Sequence, residues 1–228
     1  MSAASLSKLG LQDGDSRPTK GKSSRAAILL AAAKLATTKG LSGLSIGDLA
    51  AEVGMSKSGL YAHFKSKDEL ELAIVETAAT IFNNEVIEPA MGAEPGIVRL
   101  KAFIDSFLAY LQSKLFPGGC FFAAVALELD TRPGPARDLV LQVLDRWLGL
   151  LRQCIIDAQA RGEIGADTDV AQTVFEIEAM LLAANFLFVM TADLNQLTQA
   201  RAGAEHVLLR LAVNAAPKIR SSARGTPN

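Results

Sequence analysis

Hydrophobic and polar positions divide the chain into a series of helical periods. From Ser24 the apolar residues Ile28, Leu29, Ala32, Leu35 and Ala36 recur three and four positions apart, as on one helical face. "TTKG" ends that run, with Gly40 placed as the residue just past the helix. Ile46, Leu49, Ala50 and Val53 then form the stripe of a short amphipathic helix that Gly54 stops. Ser45 and Asp48, three apart, supply its capping pair. Ser56 caps a third helix, with Met55 and Leu60 spaced for a hydrophobic staple. Leu60 and Phe64, four apart, share its buried face, which leaves Lys57, Ser58, Tyr61 and Ala62 largely outward. Ser66 with Glu69 opens a fourth helix through Leu70, Ile74 and Ala78 toward Pro89.

After "PAMGAEPG" the helical periods lengthen. Helices are expected near 96–115, 119–130, 135–161, 167–191 and 194–214, broken by "FPGG", "TRPGP" and "RGEIGAD". Pro135 suits the first turn of its helix. No stretch alternates with the two-residue period of a strand, and no repeat is visible, so the predicted fold is all-α.

Composition adds an asymmetry that the net charge of −1 conceals. Residues 1–67 carry ten Lys/Arg against four Asp/Glu, and the remainder thirteen against twenty. A basic head on an acidic body points to an anionic partner for the head alone. The two cysteines, Cys120 and Cys154, have neither metal-ligand nor disulfide-framework spacing and read as free thiols. The start of the chain lacks the apolar run of a cleavable signal, and Met180–Met190 is about half the length of a membrane span. A soluble, cytoplasmic protein with no membrane partner is expected.

The second and third helices, joined around Gly54, make a helix-turn-helix. In that arrangement the second member enters the DNA major groove and offers its N-terminal residues to base edges. Small side chains at Ser58, Gly59 and Ala62 permit close approach, Lys57 can reach a guanine edge or a phosphate, and Tyr61 brings a hydroxyl and a ring. Helix N-termini at Ser45 and Ser56 add backbone N–H groups suited to phosphate.

Residues 24–82, through "GLSIGDLAAEVGMSKSGLYAHFKSKDEL" and the helix before it, resemble the DNA-binding domain of the TetR family of one-component regulators. The resemblance implies a palindromic double-stranded operator, bound by a homodimer. It implies that Ser45 binds a phosphate, that Lys57, Ser58 and Gly59 lie in or beside the major groove, and that Tyr61 and His63 touch the backbone. Lys67 would reach another phosphate. Gly47 departs from the family pattern, which often has a longer polar or basic residue there, so base readout would rest on the third helix. The implied organisation is a tail over 1–22, a DNA-binding domain over 23–82 with its motif at 45–64, a helical regulatory and dimerisation domain over 83–216, and a second tail over 217–228. Repression is the commoner outcome in the family; activation depends on where an operator lies, and a helical interaction protein without specific DNA binding is the other alternative.

The resemblance further implies a body that dimerises through its last two helices and encloses a small effector. The helix near 167–191 is apolar almost all round from Ile177 to Met190, so it needs burial on more than one side. Leu197, His206, Leu208, Leu209 and Leu211 would contribute from the last helix. Candidate effector-binding residues are Phe103, Phe107, Cys120, Phe121, Trp147, Phe175 and Asn185, with ordinary core packing as the alternative for each aromatic. Asn185, polar within an apolar run, needs a partner, either a ligand or a group across the dimer. An enzyme is not expected: no P-loop, dinucleotide fingerprint, zinc cluster or nucleophile elbow is present, and no metal or cofactor is implied. Glu176 and Glu178, two apart, do not share a helical face as paired catalytic carboxylates would.

Overall fold

The computed structural model describes residues 20–215, and the tails expected at 1–22 and 217–228 fall outside those residues apart from 20–22. Among the described residues ten α-helices follow one another: α1 (Lys20–Lys39), α2 (Ile46–Glu52), α3 (Lys57–Tyr61), α4 (Lys67–Phe82), α5 (Glu88–Met91), α6 (Ile97–Gln112), α7 (Phe121–Leu129), α8 (Pro135–Ala160), α9 (Val170–Thr191) and α10 (Asn195–Ala215). A π-helical turn, Asn83–Ile87, joins α4 to α5. The described residues contain no strand. α1 begins at Lys20, so three residues of the expected tail are helical; the polar run "KGKSS" has no apolar period that could reveal this.

The three serine caps form as their spacing requires. The Ser45, Ser56 and Ser66 hydroxyls accept from the amides of Asp48, Gly59 and Glu69. The Glu69 carboxylate reaches back to the Lys65 amide at 2.9 Å, one residue before the position a capping box ordinarily uses. Leu49, Leu60 and Phe64 are buried with Ile28, Leu29 and Ala32 of α1, which seats the short α2 and α3 on a longer support. α3 spans five residues, too short to be stable in isolation, so its geometry comes from Leu60 and its cap.

α4 carries that support into the body, packing on α1 at one end and on α8 further along. The helix does not stop at Pro89. The π turn precedes it, with the Glu88 amide donating to the Asn83 carbonyl five residues back, and a wide turn accommodates a residue that lacks an N–H and crowds the preceding turn. α6, α8 and α9 pack around one another, α7 lies between α1 and α8, and α10 pairs mainly with α9. Phe82, Phe103, Phe107, Tyr110, Phe122 and Trp147 meet in the body with ring centroids 5.5 to 6.4 Å apart, mostly edge to face.

α9 has the length and composition of a membrane-crossing helix. Thr173, Val174, Ile177, Leu181, Ala184, Asn185 and Phe188 nevertheless form a buried face against the rest of the fold. Phe175, Phe186 and Met190 stand on the outer side of the same helix at 69%, 62% and 70% exposure.

Candidate nucleic-acid interface and effector cavity

α3 turns one side to the core and the other to solvent. Leu60 is fully buried, whereas Lys57 and Ser58 are exposed and Tyr61 is 61% exposed. Gly47 of α2 lies directly beneath Lys57: a Cβ there would sit 3.2 Å from Lys57 Cε and 3.4 Å from its Nζ. The missing side chain on α2 is therefore space that the Lys57 stem uses. Gly59 is similarly close-fitted, with Ser56 Oγ 3.2 Å and Met55 Cε 3.4 Å from where a Cβ would be. Ser45 Oγ accepts from the Asp48 amide at 3.0 Å and donates to its carboxylate at 2.7 Å. That hydrogen bond, with Lys39 3.2 Å away, holds the Asp48 carboxyl below its ordinary value. His63 is half-buried in the turn after α3, its amide donating to the Leu60 carbonyl and its ring 6.3 Å from that of Phe64. Arg25 of α1 lies over the Phe64 ring at 5.2 Å, a basic residue beside the head that apolar periodicity does not register.

Lys67 sits in an ionic junction between head and body. Its Nζ donates to the Ser42 carbonyl at 2.7 Å and stands 3.8 Å from Glu71 of the next turn. Glu71 is buried; desolvation raises its carboxyl above the ordinary value against the opposing pull of Arg132 and Lys67. Arg132, in the turn after α7, bridges Glu71 at 3.5 Å and Glu128 at 3.6 Å. Glu128 of α7 accepts from the Leu41 amide at 2.7 Å and from the Ser42 amide. Burial opposes ionisation of Glu128, yet hydrogen bonds from Ser42 and Leu41 outweigh it and lower the carboxyl. A second tie lies nearby, where the Gly118 amide donates to Thr37 Oγ1 at 3.1 Å. The loop leading into α2 is thus held by α7, an arrangement of residues some 86 positions apart that the sequence reading missed.

The body contains a cavity of about 150 Å³ between α4, α6, α7, α8 and α9. Of the seven candidate effector residues, Phe107, Cys120 and Trp147 line it. Phe103 lies behind the wall, edge to face with Trp147 at 5.8 Å, and Phe121 packs against Phe116 and Phe122. Asn185 is turned elsewhere: its Oδ1 accepts from the Cys120 amide at 2.8 Å. Phe175 is on the outer surface of α9 and does not join the lining. Phe82, Phe122 and Glu178 complete the aromatic and polar part of the wall. Glu178 Oε2 accepts from Trp147 Nε1 at 2.8 Å, and burial raises its carboxyl against that hydrogen bond. Burial pushes both the Cys120 and Cys154 thiols up to about 11. No group of His, Cys, Asp or Glu among the described residues is placed to hold a metal ion.

This combination, a helix-turn-helix head on a larger helical body, is the architecture of a DNA-binding transcriptional regulator. Residues 28–74 match the family described as bacterial regulatory proteins, tetR family, and residues 96–204 match the tetracyclin repressor-like C-terminal domain. The chain belongs to the TetR family of transcriptional regulators. It is 26% identical over 134 residues to the transcriptional regulator AcuR of Cereibacter sphaeroides, across 58% of this chain and 61% of that one. It is 23% identical over 130 residues to the HTH-type transcriptional repressor DhaR of a Mycobacterium species, across 57% and 64% of the two chains. The chain thus spans less than two thirds of either relative's length. A TetR transcriptional regulator from Chloroflexus aurantiacus superposes with a TM-score of 0.75 at 29% identity, covering 84% of this chain and 96% of that one. AibR, solved with isovaleryl coenzyme A and operator DNA, shares the fold with a TM-score of 0.66 at 21% identity, over 83% and 98% of the chains.

Proposed function

We propose that the protein is a homodimeric repressor that places α3 in the major groove of a palindromic operator and leaves it when a small molecule fills the body cavity. The observation that carries this reading is the two-sidedness of α3, anchored by Leu60 and presenting Lys57, Ser58 and Tyr61 outward. Lys57 and Tyr61 take the base and sugar-phosphate contacts, Gly59 lets the backbone approach, and His63 closes the contact from the turn. Ser45 supplies a phosphate contact at the start of α2. Lys67, already tied to Ser42, adds its charge to the same edge of the head.

Dimerisation through α9 and α10 is supported by the apolar residues they leave outside, Leu182, Phe186, Leu187, Met190 and Leu209 among them. Leu182, Phe186 and Met190, four apart, share one face of α9, and an exposed apolar face of that kind is characteristic of an interaction site. Two heads related by a twofold axis require half-sites about one helical turn, or a multiple of it, apart. The release step follows from α7, which borders the cavity through Phe122, Ala123 and Ala126 and grips the head through Glu128. A ligand shifts the equilibrium only to the extent that it favours one position of α7 over the other. Activation from the same fold differs only in operator position.

The test is selection of binding sites by the purified protein from a random duplex DNA pool at near-physiological salt. Recovery of one palindromic motif is expected. Enrichment of no motif, repeated with cell extract present, would refute specific DNA binding.

A further inference from the structure

We infer that the body cavity takes a small organic ammonium ion, an amine with an apolar body of about one ring, seated with its charge against Glu178. The inference rests on reading the cavity as the effector site and names the chemical class that site selects. Glu178 is the one ionisable carboxylate in the lining, which otherwise consists of aromatic and aliphatic side chains and Cys120. Among the described residues no Lys, Arg or His forms an ion pair with it; its hydrogen bond comes from the neutral Trp147 indole. Glu178 is half-buried and without a countercharge, so its surroundings favour the neutral carboxyl until a cation arrives to stabilise the ionised one. An ammonium ligand supplies that charge.

The rest of the wall favours the same ligand. Phe82, Phe107, Phe122 and Trp147 surround the space, and aromatic π-systems attract cations most strongly where water is excluded. A carboxylate or phosphate ligand would meet no cationic side chain in the lining, so nothing there offsets the loss of its hydration. A neutral apolar ligand fills the space but leaves Glu178 without its partner. The volume of about 150 Å³ sets the size, since an apolar protein cavity of about that volume holds a single benzene-sized molecule. Leu144 of α8 belongs to the wall and is partly exposed, which gives the ligand a way in from the surface outside the proposed dimer face.

Trp147 is the chain's single tryptophan and lines the cavity, so its fluorescence reports occupancy directly. The experiment titrates the full-length protein at neutral pH with benzylamine, benzyl alcohol and benzoate, which share a ring and differ in the charge of the head group. Benzylamine is expected to bind about tenfold or more tightly than benzyl alcohol, with benzoate weakest. Glu178→Gln keeps an acceptor for the Trp147 indole, and in that variant the amine should lose its advantage while benzyl alcohol binds as before. Equal or tighter binding of the alcohol or benzoate to the native protein would overturn the inference. So would an amine preference that survives in Glu178→Gln, or no ligand response by Trp147 into the millimolar range. A parallel measurement on the selected operator duplex separates the two levels. Amine binding that leaves DNA affinity unchanged keeps the ligand class and removes the effector role. DNA binding without any amine response removes the ligand class and keeps the regulator.

Discussion

Replacing Glu128 by Ala removes the carboxylate that joins α7 to the loop before α2. Two backbone donors, the Leu41 and Ser42 amides, then lose a charged acceptor in a partly buried setting. Hydrogen bonds to charged groups contribute about 1.5–3 kcal/mol each, and the Glu128 side chain is 24% exposed, so the lower end applies to the pair. The expected loss is about 3 kcal/mol. The Arg132 bridge adds little, because that guanidinium is half exposed. For a chain of this size about 3 kcal/mol corresponds to a fall in Tm of roughly 6–12 °C. Thermal and urea unfolding followed by Trp147 fluorescence would measure it.

The pH dependence separates this cause from simple loss of packing. The folded protein holds the Glu128 carboxyl below its ordinary value, so its stabilisation is complete above the unfolded value and is lost as pH falls through the lowered one. The difference between the native protein and Glu128→Ala should be constant from neutral pH down to about 5 and narrow at more acid pH. Glu128→Gln, which keeps a neutral acceptor, should lose less than Glu128→Ala at neutral pH. A loss in Glu128→Ala below about 1 kcal/mol at neutral pH, or one that stays the same under acid conditions, would refute the argument.

Three other predictions concern the head, the thiols and the support of the cavity wall. Lys57→Ala combined with Tyr61→Ala should abolish specific binding to the selected operator in a gel-shift assay while light scattering still reports a dimer; loss of the dimer would mean that α3 is misplaced. Both thiols, raised to about 11 by burial, should resist a thiol reagent at mildly alkaline pH until denaturant exposes them. Rapid labelling of the folded protein would refute the burial of these thiols. Asn185→Ala should cost about 1–3 kcal/mol in denaturant unfolding, because the Cys120 amide is left buried without its acceptor. A negligible change would refute that role for Asn185.

What the chain revealed in advance was local. Ser45, Ser56 and Ser66 announce their helices because a cap and its target lie three residues apart, and Leu60 with Phe64 defines a buried face within one turn. The residues it concealed are defined by distant partners. Glu128 stands in "ALELD" with no local distinction, since the groups it binds are backbone amides, and amides leave no mark in sequence. On α9 the apolar pattern runs nearly all round, so periodicity cannot tell inward from outward; Phe175 points out while Glu178 points in. The two-residue spacing of Glu176 and Glu178 does carry information, because it places them on different faces. Glu176 pairs with Arg210 of α10 at 2.6 Å, whereas Glu178 reaches the Trp147 indole across the bundle. One acid is paired with a cation on a neighbouring helix, and the other accepts from a neutral indole without an ion-pair partner among the described residues. That difference between two similar residues is what gives the cavity a chemical preference rather than only a volume.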